Sequence, residues 1–132
     1  MTSTPAPVYD CFRRRVSAFP SCSDPLWSTL PKMHLSDTVT GSPPRLATAV
    51  QAFWDGDSLY FHFDCDDDHA VATFRRHDDP IYHEDVVEVF LSETGLLTTY
   101  KEFEVSPANV RFDAIVHNDL QGGVHVDTRW HA

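Results

Sequence analysis

Residues 45–65 have the sequence RLATAVQAFWDGDSLYFHFDC, in which two strand-like runs flank a turn. Leu59, Phe61 and Phe63 alternate with more polar residues, as in a β-strand. Residues 46–54 carry apolar side chains on both faces, which indicates a strand covered on both sides. The intervening Asp55-Gly56-Asp57-Ser58 is typical of a turn, because glycine tolerates positive φ. This stretch predicts a β-hairpin.

Further short strands are expected after the hairpin, separated by polar loops. The run DVVEVFL at residues 85–91 is nearly continuous in apolar residues, which favours a central position in a sheet. The other predicted strands are residues 70–74, 100–105 and 110–116, and a last strand through Val124, Val126 and Trp130. Short strands without intervening helices favour an all-β chain, namely an antiparallel β-sandwich of immunoglobulin-like or jelly-roll-like type.

The first 44 residues form an irregular arm, since prolines interrupt nearly every element there. Asp24 followed by Pro25 is a helix start, so we expect one short helix near residues 24–30, with Trp27 buried against the core. Domains usually have about 100–200 residues. The 132 residues are therefore expected to form a single domain, residues 1–132, with strands from residue 45 onwards.

The charge of the chain limits its partners. Asp and Glu outnumber Lys and Arg by 20 to 10, which gives a net charge of -10. Such a charge repels phosphate backbones and anionic lipid, so nucleic acid and membranes are excluded as partners. The opening MTSTPAPVYD lacks the basic start and apolar run of a signal peptide. We expect a soluble, acidic protein, cytoplasmic by default, whose oligomeric state the sequence leaves open.

Metal and disulfide chemistry find little support in the sequence. The acidic run DCDDDH at residues 64–69 resembles the start of an EF-hand loop, but the sixth position is histidine and the twelfth is Arg75. We interpret it as a solvated loop; the alternative is a looser calcium site with Asp66, Asp67 and Asp68 as ligands. The histidines show no zinc-ligand spacing, and no cofactor is required.

The three cysteines are interpreted as reduced thiols, because their number is odd and their spacing matches no zinc site. A disulfide between Cys11 and Cys22 is the alternative in an oxidising compartment.

One group of residues is a candidate for a functional site. Glu88 interrupts the apolar strand, and a carboxylate there must be paired or face a polar site. Tyr82 lies six residues earlier, where its ring could stand at the rim of a site containing Glu88. The alternative is structural: an ion pair of Glu88 with Arg75 or Arg76, and Tyr82 at the edge of the core.

The chain resembles the family 9 carbohydrate-binding modules over most of its length. Residues 24–27 are similar to an early tryptophan turn, and AFWDGDSLYFHFDCDD is similar to the family's wD..LYv.f...D hairpin. HDDPIYHEDVVEVFL, YKEFEVSP and the later FDA are similar to its W..D.vEiF and YyEfeVnP signatures. The resemblance implies a β-sandwich that binds carbohydrate without catalysis, in support of carbohydrate catabolism alongside glycoside hydrolases.

The resemblance also implies roles for particular residues. In the family, an aromatic before the central strand stacks on a sugar and the Glu of vEiF hydrogen-bonds its hydroxyls; these positions match Tyr82 and Glu88. Asp85 matches the motif aspartate, which would position the loop or assist a cation. Apart from the resemblance, we expect a nearby Arg75 or Arg76 to add hydrogen bonds to the saccharide.

The chain departs from the family pattern at three points. Tyr82 replaces the usual stacking tryptophan, and Glu104 stands where a sugar-binding member has arginine. The second aromatic wall of family members belongs to further C-terminal strands, so we expect the chain, which ends at Ala132, to be incomplete there. These departures leave an alternative in which the fold is kept and ligand binding is lost.

Two other function classes compete with binding. A glycoside hydrolase, or an accessory part of one, would need two carboxylates, which Asp85, Glu88, Glu102 and Glu104 could supply. A haem-binding sandwich would use Met33 and a histidine as axial ligands.

Overall fold

The structure, a computed structural model, describes residues 6–132, so the first five residues of the predicted arm lie outside the described part. The chain divides into two compact units, one ending at Asp67 and the other comprising Asp68–Ala132. Each unit contains one four-stranded sheet. The all-β class, with two mostly antiparallel sheets as expected of a β-sandwich, is confirmed. Residues 6–132 contain no helix that is long and apolar enough to cross a bilayer.

The predicted hairpin forms the centre of the first sheet. The strands of this unit are β1 (Phe12–Arg13), β2 (Met33–His34), β3 (Thr48–Trp54) and β4 (Leu59–Cys65). β3 and β4 pair antiparallel along their full length, from Thr48 opposite Cys65 to Trp54 opposite Leu59. The short strands β1 and β2 pair with the other edge of β3. Residues 49–53 of β3 are all buried, as predicted for a strand covered on both faces.

The arm contains the expected short helix. A 3₁₀ helix spans Pro25–Thr29, and the Asp24 side chain caps it by accepting from the Leu26 N–H at 2.8 Å. Trp27 is buried and contacts the Phe53 ring, with centroids 5.3 Å apart. The buried Gln51 amide donates to the carbonyls of Trp27 and Leu30 at 2.5 and 2.9 Å. The arm is therefore fixed to β3 by both apolar and polar contacts.

The three cysteines Cys11, Cys22 and Cys65 are free and exposed. Partial burial raises the pKa of the Cys11 thiol, which lowers its thiolate fraction.

The second sheet is a four-stranded antiparallel meander. Its strands, in spatial order, are β5 (Val87–Leu91), β6 (Thr99–Val105), β7 (Arg111–Asn118) and β8 (Val124–Asp127). The core of this unit is a cluster of buried Ile81, Val110, Phe112 and Ala114, with Phe74 and Val86 packed against it. Burial of one such large side chain is worth about 1.5–3 kcal/mol.

Three predictions in this unit are wrong. β5 lies at the edge of the sheet rather than in its centre, because Glu88 and Phe90 alternate outward and only one side of the strand is paired. Residues 70–74 form no strand. The last strand ends at Asp127, so Trp130 lies beyond it and packs on Phe103 instead.

The segment at residues 70–74 is held by side chains instead of a β-ladder. The Val71 N–H donates to the Asp85 carboxylate and the Thr73 N–H to the Glu84 carboxylate, both at 2.6 Å. The Thr73 hydroxyl also donates to Glu84. These acceptors satisfy the backbone groups that a neighbouring strand would otherwise bond.

The predicted polar loop at residues 75–84 contains a second 3₁₀ helix, Ile81–His83. Ile81 is fully buried in the core of the unit. This apolar anchor fixes the neighbouring Tyr82 against the sheet.

Candidate functional site

Tyr82 and Glu88 lie on the same face of the second sheet. Glu88 is directly opposite Glu104 on β6, and Glu104 is directly opposite Phe112 on β7. Residues that face each other across antiparallel strands share one side of the sheet. The Tyr82 ring packs edge-on against Phe112, with centroids 5.4 Å apart and an interplanar angle of 80°. The aromatic ring and the carboxylate therefore belong to one surface, which we name the Tyr82 face.

The residues of the Tyr82 face differ sharply in exposure. Tyr82 is 51% exposed and Glu88 is also exposed, whereas Glu104 is only 2% exposed. The Tyr82 ring and the Glu88 carboxylate are thus accessible from solvent, whereas the Glu104 side chain is not.

A second row of residues extends the Tyr82 face, and the sequence analysis missed it. Phe90 on β5 is opposite Glu102 on β6. This pair is two residues along each strand from the pair of Glu88 and Glu104, so it lies on the same side of the sheet. Phe90 is 51% exposed and contacts the Tyr100 ring edge-on at 5.5 Å. The period-two spacing of Glu88 with Phe90, and of Tyr100 with Glu102, is the sequence signal that could have found it.

The aromatic pair borders a hollow. Phe90, Ser92, Leu97, Tyr100 and Asn118 line a cavity of about 360 Å³. The row of Glu88 and the row of Phe90 are about 7 Å apart along the strand, which follows from two residues of strand rise. The Tyr82 face thus presents aromatic rings at both ends and carboxylates between them.

Three carboxylates converge between the rings. Single oxygen atoms of Glu88, Glu102 and Glu104 all lie within 4.8 Å of one another. Burial raises the pKa of Glu104 to about 8, and the charges of Glu102 and Glu88 add to this effect. Burial also raises the pKa of Glu102, but a hydrogen bond with Glu104 opposes that rise. At neutral pH Glu104 therefore keeps its proton, and its hydrogen bond with Glu102 favours this protonated form.

The other predicted ligand-binding residues are engaged within the loop that carries Tyr82. The Arg75 guanidinium donates to the carbonyls of Ala72 and Phe74, at 2.6 and 2.8 Å. Arg76 pairs with Asp79 at 3.2 Å. The structure brings neither arginine into an ion pair with Glu88 within residues 6–132.

Asp85 accepts from the Val71 N–H and so orients the loop. Hydrogen bonds from the Thr73 hydroxyl and N–H lower the pKa of the adjacent Glu84 carboxyl, which stays ionised to lower pH.

Within residues 6–132, two clusters of side chains bring three or more metal-ligand atoms together. They are the three glutamates described above and a group of His77, Asp78, Asp113 and His131. Asp66, Asp67 and Asp68, the candidate calcium ligands from the sequence, belong to neither cluster. Asp66 continues the first hairpin, where its N–H donates to the Ala47 carbonyl at 2.8 Å.

Comparison with known proteins agrees with this architecture. The family model described as carbohydrate family 9 binding domain-like matches residues 21–128. No curated protein and no solved structure matches the chain. The matched range includes the hairpin of the first unit and all the residues of the Tyr82 face. The chain therefore belongs to the carbohydrate family 9 binding domain-like family.

Proposed function

We propose that this protein binds a saccharide, without catalysis, on the Tyr82 face. The observation that carries the proposal is the shared orientation of the exposed Tyr82 ring and the exposed Glu88 carboxylate. The family match supports carbohydrate as the ligand class.

The chemistry of the two groups suits a sugar. A pyranose has an apolar face of C–H groups, and an aromatic ring offers it a flat platform with little entropy to lose. An ionised carboxylate accepts hydrogen bonds from hydroxyl groups and so fixes their orientation. Tyr82 would supply the platform and Glu88 the acceptor.

The length of the surface favours an oligosaccharide over a monosaccharide. Phe90 is as exposed as Tyr82, and the hollow beside Tyr100 continues the surface. A chain of two or more sugar units would stack on Tyr82 at one end and on Phe90 at the other. Each contact is shallow, so we expect weak affinity for single sugars.

Glycoside hydrolysis is the competing activity, since Glu88, Glu102 and Glu104 supply carboxylates. Glu104 has the raised pKa of a general acid, but it is only 2% exposed, which argues against contact with a glycosidic oxygen. We therefore propose an accessory role in carbohydrate catabolism. Turnover of a chromogenic glycoside that disappears in Glu88→Gln would overturn this view.

Binding is tested by calorimetric titration of the wild-type chain with neutral mono- and oligosaccharides. We expect saturation that strengthens with oligosaccharide length, and loss of binding in Tyr82→Ala and Glu88→Gln. Phe19→Ala is the matched control, because Phe19 is 85% exposed and belongs to the other unit. Absence of saturation with every saccharide would instead support a family member that has lost its ligand.

A further inference from the structure

A second cluster of polar side chains lies on the opposite face of the second sheet. Asp113 follows Phe112 on β7, so the two side chains point to opposite sides of the sheet. Around Asp113 the structure brings together His77 and Asp78, from the loop before the second 3₁₀ helix, and His131, which follows β8. The four residues come from three separate segments of one unit.

The distances within this cluster match the spacing of ligand atoms around one metal ion. The His131 Nδ1 atom is 3.3 Å from Asp113 Oδ1 and 3.5 Å from Asp78 Oδ2. The His77 Nδ1 atom is 3.4 Å from Asp78 Oδ2. Charge-assisted hydrogen bonds are shorter, at about 2.7–2.9 Å. Two ligands of a tetrahedral zinc ion, each about 2.0–2.2 Å from the metal, are separated by about 3.3–3.6 Å.

Neighbouring contacts orient the ligand atoms. The Asp113 N–H donates to Asp78 Oδ1 at 3.4 Å, which leaves Oδ2 facing the histidines. Trp130 packs edge-on against Phe103, with centroids 5.8 Å apart, and so carries His131 towards Asp113. Such outer contacts are what fix the ligands of metal sites.

The charge and access of the cluster also suit a cation. The Asp78 and Asp113 side chains are only 22% and 12% exposed, and their ion-pair partners within residues 6–132 are histidines. His77 and His131 are 42% and 54% exposed, which leaves an entry path. The adjoining cavity, lined in part by Phe103 and Arg111, has a volume of about 330 Å³.

We propose that His77, Asp78, Asp113 and His131 bind one divalent transition-metal ion such as Zn²⁺. Two imidazole nitrogens with two carboxylate oxygens match the ligands that zinc prefers, whereas calcium and magnesium take oxygen ligands. The ion would join three segments of the unit that are otherwise far apart in sequence. The proposal does not depend on saccharide binding.

The test uses the full chain, stripped with a chelator and titrated with ZnCl₂ by calorimetry and by thermal unfolding. We expect one zinc ion per chain and a rise in melting temperature of roughly 5–10 °C at saturating zinc. CaCl₂ at the same concentration should give no such rise. Because both histidines are exposed, His77→Ala and His131→Ala should fold. Each should bind zinc at least roughly 10–100-fold more weakly, since even the loss of an outer partner of a metal ligand costs this much.

Two control variants distinguish zinc binding at this site from zinc binding by other histidines. His34→Ala removes an exposed histidine of the other unit and should leave zinc binding unchanged. His125→Ala removes one member of the His117 and His125 pair, whose rings stack at 6.3 Å. Loss of zinc binding in His125→Ala would overturn the proposal. So would unchanged binding in a double variant of His77 and His131, or no zinc binding by the wild-type chain.

Discussion

Glu88 and Glu104 face each other directly across β5 and β6, yet one is exposed and the other is 2% exposed. Like charges in this arrangement destabilise a sheet. The raised pKa of Glu104 relieves the repulsion, since the buried member of the pair is neutral at pH 7.

The stability of the protein should therefore depend on pH. The pKa of Glu104 is about 8 in the folded chain against 4.5 as its ordinary value, so the folded state binds more protons between these limits. Stability from this group is complete below about pH 4.5 and is lost as the pH rises through 8. Glu104→Gln keeps the neutral shape and should stabilise the protein at pH 8.5 by about 1–3 kcal/mol. Urea unfolding at pH 6 and 8.5 measures this; an equal loss of stability with pH in the variant would contradict it.

The size of the Tyr82 ring should limit the affinity for saccharides. Tyr82→Trp enlarges the stacking platform, and we expect tighter binding by about three- to tenfold, because an aromatic contact is worth about 0.5–1.5 kcal/mol. Tyr82→Phe keeps the ring and should bind almost as the wild type does. Calorimetric titration with one oligosaccharide measures both variants. Weaker binding by Tyr82→Trp, in a variant that is folded, would show that the ring does not stack on the ligand.

The carboxylates of the Tyr82 face should discriminate between saccharides by charge. Glu88 is exposed there and Glu102 partly so, and the chain has a net charge of -10. We expect an oligosaccharide with uronic acid units to bind about fivefold or more weakly than its neutral counterpart at low salt. The difference should shrink in Glu88→Gln and at high salt. Equal affinities of the wild type for both ligands would contradict the assignment of this face.

The loop that carries Tyr82 should depend on Glu84. Its carboxylate accepts two hydrogen bonds from Thr73, and these bonds lower its pKa. Glu84→Gln should increase hydrogen exchange at Thr73 and weaken saccharide binding, with little change in global unfolding. Glu93→Gln is the matched control, because Glu93 also has a lowered pKa but pairs with Lys101. Unchanged exchange at Thr73 in Glu84→Gln would show that the loop is held in another way.

Gln51 should be important for the first unit. Its buried amide donates to two carbonyls of the arm, so Gln51→Leu leaves both acceptors unsatisfied. We expect a loss of about 1–3 kcal/mol in the free energy of unfolding, measured by urea denaturation. Gln121→Leu, at an exposed position, should change stability very little.

The sequence predicted those parts of the fold that depend on local patterns. Alternation and the turn at residues 55–58 identified the hairpin, and Asp24 with Pro25 identified the short helix. Residues 70–74 were mistaken for a strand because the N–H groups of Val71 and Thr73 donate to the side chains of Asp85 and Glu84, which no period reveals.

The candidate sites were harder to predict, because they depend on which segments meet. Spacing alone left open whether Tyr82 and Glu88 share a face, since a 3₁₀ helix lies in the intervening segment. The contact of Tyr82 with Phe112 depends on tertiary packing. His77 and His131 are likewise 54 positions apart, so no zinc-ligand spacing connects them.

The attachment of residues 70–74 by Glu84 and Asp85 has a consequence for how such a protein can diversify. No β-ladder ties this segment to the sheet, so its length and sequence can change without a shift in strand register. The segment together with Tyr82 could be exchanged for that of a relative while β5–β8 stay intact. A change in saccharide specificity would then need the replacement of only this short segment, while the four strands keep their sequence.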